Sequence, residues 1–458
     1  ILRLSLGLAA WKGYDAENRW AVRCNPSSGN LHPTEGYIVV GDLPGLPGGV
    51  YHYRPKEHAL ERRMTPSADF TKRSFGRLFV ALSSIHWREE WKYGMRAFRY
   101  CQHDVGHAVA AFAYAAAGLG WQARHVANVA DATVARLVGL DRAADFDGAE
   151  RESPDLILQI EPGRGHLSKV TVEMVDALAD AAMNGAWQGR ANPLSPRHLH
   201  TWPAVEEVSD ATMKPSTDEK PWSAPPPKAV SPTDCVTPAV PLILGRRPVQ
   251  RFDGRTPLSA RSFFRILDMT QPRQKVVPFD TLPWRPFIDL ALFVHNVEGV
   301  TPGLYALVRD AEGFNGLKAD LSAEFAWAAV EGAPSHLPLF RLAAADLRRD
   351  AMTLSCRQEI AGLSAFSLGM LARMDDALAP GPWGYRRLYW EAGMIGQVLY
   401  LEAEAAGVRG TGIGCFHDDE VHRLLGLTGP QRQSIYHFTV GTPVEDARLR
   451  SDPPYLAE

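Results

Sequence analysis

Two stretches of the chain carry the same run of apolar and polar positions, 254 residues apart. Gly36–Tyr51, GYIVVGDLPGLPGGVY, and Leu290–Tyr305, LALFVHNVEGVTPGLY, each read as an apolar strand, a polar turn and a Gly-x-Tyr strand. Short apolar runs bounded by Gly and Pro predict paired strands. A second pair of blocks, Phe98–Leu140 and Tyr385–Leu427, aligns without gaps at an offset of 287. Arg99/Arg386, Gly106/Gly393, Gly120/Gly407 and Asp131/Asp418 fall in register, and both blocks close on Val-x-Arg-Leu-x-Gly-Leu. Two collinear blocks with their glycines aligned identify an internal duplication. Long Ala-rich helices are expected at Arg99–Gly118 and Leu388–Ala406, and a closing strand at Gln433–Gly441. Strands and helices mix without regular βαβ alternation, so the expected class is α+β, with two mainly antiparallel, helix-flanked domains packed as an intrachain pseudo-dimer.

Length agrees, since 458 residues exceed what one core usually serves. The boundaries read as a first domain over 1–190, a Pro-rich linker over 191–240 and a second domain over 241–458. The linker holds NPLSP, KPWSAPPPK and SPTDCVTPAVP, which exclude continuous helix or sheet, and Trp202 and Trp222 are candidate anchors for it. A net charge of −3 with dispersed basic residues argues against nucleic acid or an anionic membrane as the main partner. No apolar run approaches the roughly 20 residues of a membrane span. The opening ILRLSLGLAAWKGY carries Arg3 and Lys12 and reads as a helix rather than a signal peptide. It begins at Ile1, which leaves room for upstream residues. Five cysteines without a CxxC pair read as a reduced, cytoplasmic protein with neither a disulfide framework nor a zinc ribbon.

At Cys24–Glu35, CNPSSGNLHPTE, the chain resembles the nitroreductase superfamily. More narrowly it resembles the SagB/ThcOx-type dehydrogenases that oxidise azolines in thiazole/oxazole-modified peptides. The resemblance continues through Gly49-Val50-Tyr51-His52-Tyr53, Trp91–Tyr100 and Asp104-Val105-Gly106-His107. In the second half it covers Arg246–Phe252 and Gly410–Phe416. It implies FMN at a dimer interface, with an Arg-rich element for the phosphate, a Gly-rich loop beside the ring, and Pro-Ser-Ser from across the twofold. It also implies that Lys92 and Tyr93 are the acid/base pair of the oxidation.

The halves differ in what they keep. Pro26-Ser27-Ser28-Gly29-Asn30 aligns with Asp280-Thr281-Leu282-Pro283-Trp284, and Gly410–Phe416 aligns with Ala123–Val129, ARHVANV. Arg246 and Arg247 have no visible counterpart before Arg23. Guanidinium groups suit a phosphate dianion, Gly-rich backbone exposes N–H donors, and Ser27, Ser28 and Asn30 suit polar ring or ribityl atoms. The expected flavin position is therefore single, between Pro26–Asn30 of one half and Arg246, Arg247, Gln250, Gly412, Ile413, Gly414 and Cys415 of the other. Pro248 and Gln250 depart from the family pattern, and Arg448 or Arg450, beyond the final strand, is a candidate to compensate. Without a Rossmann glycine fingerprint, NAD(P)H would bind transiently over the flavin.

Each sharp reading has a plainer one beside it. Lys92-Tyr93 is otherwise an exposed Lys next to a packing Tyr. His103 and His107 share a helix face that could ligate zinc, yet the aligned Trp390 and Met394 favour a packing face between the halves. Cys415 is a reactive thiol or a small packing residue; Asp418-Asp419 cap a helix; Arg99 and Arg386 make structural ion pairs. The function expected is an FMN-dependent oxidoreductase acting on a modified peptide or a small electrophile. The alternative is a partner subunit, with or without flavin, that lacks turnover.

Overall fold

Successive side chains of Tyr37–Val40 enter two different cores, and that sets the layering. Ile38 and Val40 pack into a central core, while Tyr37 and Val39 pack into an outer one. In the second half, Leu290 and Leu292 join the same central core, and Ala291 and Phe293 face another outer one. Strands buried on both faces read as continuous apolar runs, which explains VIVV-like stretches without polar alternation.

The protein is seen here as a computed structural model that describes residues 1–163, 168–226 and 229–455. After a short pair, β1 (Leu8–Gly13) and β2 (Arg19–Arg23), the first half builds one antiparallel sheet. Its strands are β3 (Thr34–Val40), β4 (Gly49–Arg54), β5 (Ala59–Thr65), β6 (Leu78–Ser84), β7 (Trp121–His125), β8 (Ser153–Pro162) and β9 (Ala186–Trp187). The second sheet uses β10 (Ile288–Val294), β11 (Gly303–Leu307), β12 (Ala328–Ala329), β13 (Leu339–Ala344), β14 (Phe366–Arg373), β15 (Arg409–Ile413) and β16 (Arg432–Gly441). The spatial orders are β7-β8-β6-β3-β4-β5-β9 and β15-β16-β14-β10-β11-β13-β12. They match strand for strand except at the two-residue edge strands. The class is α+β, as expected.

The helices that matter for the site are α1 (Trp87–Tyr93), α2 (Ala97–Gly118), α3 (Asp131–Val138), α4 (Pro203–Ala211), α5 (Gly384–Ala405) and α6 (Asp418–Leu425). The long pair, α2 and α5, begins two and four residues earlier than the sequence reading placed it. They cross where the duplicated glycines meet. A Cβ on Gly106 would stand 2.2 Å from the Trp390 carbonyl oxygen, and one on Gly393 would stand 2.1 Å from that of His103. Symmetric ion pairs flank the crossing: Arg386 on α5 reaches Asp131 of α3, and Arg99 on α2 lies 3.6 Å from Asp418 of α6.

One expectation fails. The opening segment is not a helix but strand β1, which pairs with β2 and, on its other side, with β17 (Arg450–Asp452). The tail thus clasps the start of the chain; the Leu8 N–H donates to the Tyr455 hydroxyl at 2.8 Å. Inside the proline-rich linker, α4 starts with Pro203 in its first turn, where proline costs no hydrogen bond, and buries Val205 against Ala97 and Phe98. Trp202 does anchor the segment, within 3.0 Å of a Cβ built on Gly94. Linker residues 227 and 228 lie outside the described residues.

Candidate functional site

The first-half wall begins where β2 ends. Arg23 leads into a turn in which Gly29 and Asn30 hold φ of 59° and 60°. The Ser27 hydroxyl accepts from the His32 N–H at 2.8 Å. Asn30 is spent on the turn itself, its amide donating to the Ala21 carbonyl and its oxygen meeting His32. That engagement leaves Pro26, Ser27, Ser28 and Gly29 as the open part of the element. The end of α1 delivers Lys92 and Tyr93 to the same place. A Cβ on Gly29 would lie 2.5 Å from the Tyr93 hydroxyl and 2.7 Å from the Lys92 amine. Only glycine fits there, by both its φ and its crowding.

The second-half wall is an edge strand rather than a loop. Gly410–Ile413 lie in β15, paired with β16, so their N–H groups alternate in direction instead of converging. The glycines serve aromatic neighbours. A Cβ on Gly410 would stand 2.5 Å from Phe438, on Gly412 2.0 Å from the Tyr436 hydroxyl, and on Gly414 2.6 Å from Tyr100 of the first half. The Gly412 N–H donates to the Tyr400 hydroxyl at 2.9 Å. The Ile413 side chain is in the core, so only its backbone faces outward. Tyr436 stacks on His103 with ring centroids 4.2 Å apart, and its hydroxyl lies 3.3 Å from His107. The two histidines therefore face the other half, and among the described residues no group of metal ligands gathers around them.

Cys415 corrects the cysteine reading. It is bridged to Cys356, with Cα atoms 6.0 Å apart, within the range a disulfide spans. The partners are 59 positions apart in sequence, so no spacing motif announces them. Beside the bridge, Arg96 of the first half donates to the Gly414 and Phe416 carbonyls and pairs with Asp418 at 2.8 Å. A cavity of about 720 Å³ opens there, between Met95, Arg96, Phe416 and His417.

Basic groups gather at the other end. Arg246 is buried, packs its guanidinium 4.9 Å over the Tyr400 ring and donates to the Arg23 carbonyl. Among the described residues its Nε and Nη1 and the Nε of Arg247 have no hydrogen-bond partner. Burial first, then the neighbouring Arg246 charge, pushes Arg247 down to about 10. Lys12 of β1 is lowered by burial and by Arg409 and Arg247. Arg247 is pinned through the Leu244 and Arg246 carbonyls, and its N–H donates to Glu404. Lys12 and Arg409 were not foreseen, because strand pairing rather than sequence spacing brings them in. Gln250 is exposed, and the exposed Arg448 is paired with Asp446 at 2.7 Å rather than with this cluster. Arg409 is already paired with Glu404 at 3.4 Å and Glu445 at 2.9 Å, but the buried Arg246 and Arg247 nitrogens without acceptors fit a phosphate. The residues present thus suit FMN at both ends.

The pseudo-symmetric position is filled differently. Cys415 aligns with Asn128 and Gly29 with Pro283, and linker residues 214–222 run across both. The Thr217 N–H donates to the Asn128 carbonyl at 3.1 Å, the Asn128 amide to the Glu219 carbonyl at 3.0 Å, and the Trp222 N–H to the Pro283 carbonyl at 2.7 Å. Arg387 clamps the Glu219 carboxylate with both terminal nitrogens.

Residues 359–442 match the Nitroreductase family model. The trifolitoxin-processing protein TfxB of Rhizobium leguminosarum bv. trifolii is 31% identical over 161 residues, which cover 31% of this chain and 43% of that protein. A candidate nitroreductase of Methanocaldococcus jannaschii, MJ1384, is 31% identical over 103 residues, 20% of this chain and 52% of that one. The chain thus spans about half the length of the curated relatives it matches. A crystal structure of a candidate nitroreductase from Anabaena variabilis superposes with a TM-score of 0.65 at 20% identity, over 97% of this chain and 87% of that one. That likeness extends the fold to both halves. Among the described residues no helix is long and apolar enough to cross a membrane.

Proposed function

We propose, for a chain that is nitroreductase-like in sequence and fold, that it is an FMN-dependent oxidoreductase with one flavin position per chain. The observation that carries this is Tyr100, whose ring centroid lies 4.8 Å from that of Tyr93 beside Gly29 and whose edge lies 2.6 Å from a Cβ built on Gly414, together with the buried Arg246 and Arg247 nitrogens that have no acceptor among the described residues. Arg246 and Arg247, helped by Lys12 and Arg409, would hold the phosphate; the backbone of Gly412–Gly414 and the Ser27 and Ser28 hydroxyls would border the ring. When bound, FMN supplies a two-electron hydride acceptor or donor.

The chain's own residues move the proton. Tyr93 is pushed up to about 12, by burial first and then by Glu89, so its phenol stays protonated at neutral pH and would hold the substrate by a hydrogen bond. Lys92, exposed beside it, would take the proton that an oxidised substrate gives up as its hydride leaves. An azoline in a modified peptide is the substrate class that best fits, in keeping with a relative named for processing trifolitoxin. Peptide access would run along the cavity bordered by Met95 and Phe416. NAD(P)H, where needed, would act transiently, and the intrachain pairing of halves makes a monomer sufficient.

Purified protein should show flavin absorbance or take up added FMN, and Lys92→Ala and Tyr93→Phe should each lower turnover by about a hundredfold with FMN content unchanged. A colourless chain that refuses added FMN would favour the partner-subunit reading instead.

A further inference from the structure

Beneath the Ser27–Gly29 turn lies a pair of carboxyl groups with no role so far. Glu89 sits on α1 one turn before Lys92 and Tyr93, and that spacing puts all three on one helix face. It is fully buried, and both of its oxygens lack hydrogen-bond partners. Asp104, equally buried on α2, accepts from the Ser28 N–H at 3.4 Å and lies against the Ser27 hydroxyl, while its second oxygen has no partner. Among the described residues neither carboxyl has an ion pair.

The duplication supplies the contrast. The residue aligned with Asp104 is Glu391, which is ion-paired with Arg309 and accepts from the Phe287 N–H at 2.8 Å. The residue aligned with Glu89 is Asp376, exposed and paired with Arg373 at 2.8 Å. In the second half, then, both acids are neutralised by arginines; the position aligned with Arg309 in the first half is Pro55. Only the half that carries Lys92 and Tyr93 leaves the two acids facing each other.

We propose that Glu89 and Asp104 form a buried proton reservoir for Lys92 and Tyr93, a positioning role that rests on the oxidoreductase reading above. Each exchange is one proton: the O–H bond of the Glu89 carboxyl breaks as an N–H bond forms on Lys92, and the reverse returns it. Burial raises both carboxyls, and Asp104 raises Glu89 further; Lys92 lowers Glu89, while Ser27, Ser28 and Arg23 lower Asp104. The other titratable groups around them include Glu90 and Tyr93 on α1, Tyr100 and Cys101 on α2, Asp155 on β8, Tyr400 on α5 and Tyr436 on β16. Two like charges buried beside each other repel and lose the stabilisation of bulk solvent, so the pair keeps a proton at neutral pH.

The sign of the linkage follows. A carboxyl raised by folding binds its proton more tightly in the native state. Its stabilising contribution is complete below the unfolded value, about 4.3 for Glu, and is lost as pH rises toward the raised native value. Across that window the unfolding constant of the native chain, relative to Glu89→Gln, should grow by up to about tenfold per pH unit for the one proton. Infrared difference spectra at neutral pH should show a protonated carboxyl band that Glu89→Gln and Asp104→Asn remove and Lys92→Ala keeps. Neither measurement needs flavin. In turnover, Glu89→Gln should lower kcat by about tenfold or more and displace a limb of the pH profile, with KM held within about twofold. Parallel stability–pH curves for native chain and Glu89→Gln, or a missing carboxyl band, would overturn the reservoir whether or not the chain proves to be an oxidoreductase. If the band and the pH slope appear while no variant or native chain turns over, it is the oxidoreductase reading that fails.

Discussion

At the scale of single residues, Arg246 and Arg448 carry one charge each in opposite surroundings. The first is buried on Tyr400 with two guanidinium nitrogens unpartnered, and the second is exposed and tied to Asp446. Arg246→Gln is therefore expected to weaken FMN binding by at least about tenfold, the worth of a charged hydrogen bond. Arg448→Ala should change it by less than about twofold; fluorescence titration with FMN measures both. Without flavin, Arg246→Gln should be at least as resistant to thermal unfolding as the native chain, because it removes a buried charge two of whose three nitrogens have no acceptor among the described residues. The Arg-Arg pair, the serines and Lys92-Tyr93 were legible because each is a contiguous run. Lys12, Arg409 and the Glu89–Asp104 pair were not, since only the fold makes neighbours of them.

At the scale of elements, the crossing of α2 and α5 hangs on two glycines that the internal alignment had already matched. Gly106→Ala would push a methyl into the Trp390 carbonyl and should destabilise by roughly 3 kcal/mol, measured by denaturant unfolding. Gly393→Ala should do the same at His103, and the double variant should cost less than the sum, because both relax by the same widening. Gly-rich β15 was misread as a loop because glycine weakens a strand in general, while here it makes room for Tyr436, Phe438 and Tyr100. The N-terminal strand was missed because its residues, LAAWKG, show no alternation, and one of its two partners, β17, lies more than 430 residues further along the chain. The Cys356–Cys415 bridge gave no sequence signal at all. Cys356→Ser should lower stability by about 2–4 kcal/mol under non-reducing conditions. The difference from the native chain should vanish when reductant is added.

At the scale of the whole molecule, the repeat order of strands, the shared central core and the linker's course make an unequal pair out of similar halves. The duplication and its asymmetry were visible in aligned residues, whereas the linker's destination was not, because its contacts at Asn128 and Pro283 are made mostly by backbone groups. Replacing residues 214–222 with Gly and Ser should lower thermal stability yet leave FMN at one per chain, since the exposed position still lacks paired arginines and serines. A ratio near two, by absorbance against protein concentration, would refute the single-site reading. In a homodimer of identical subunits, every mutation is written twice into each molecule and so alters both walls of both sites. Here the linker lies across one of the two positions, and each wall of the other is encoded once, in its own stretch of gene. The wall with Lys92 can drift toward a new substrate while the wall with Arg246 stays untouched, a freedom that a symmetric ancestor would not have had.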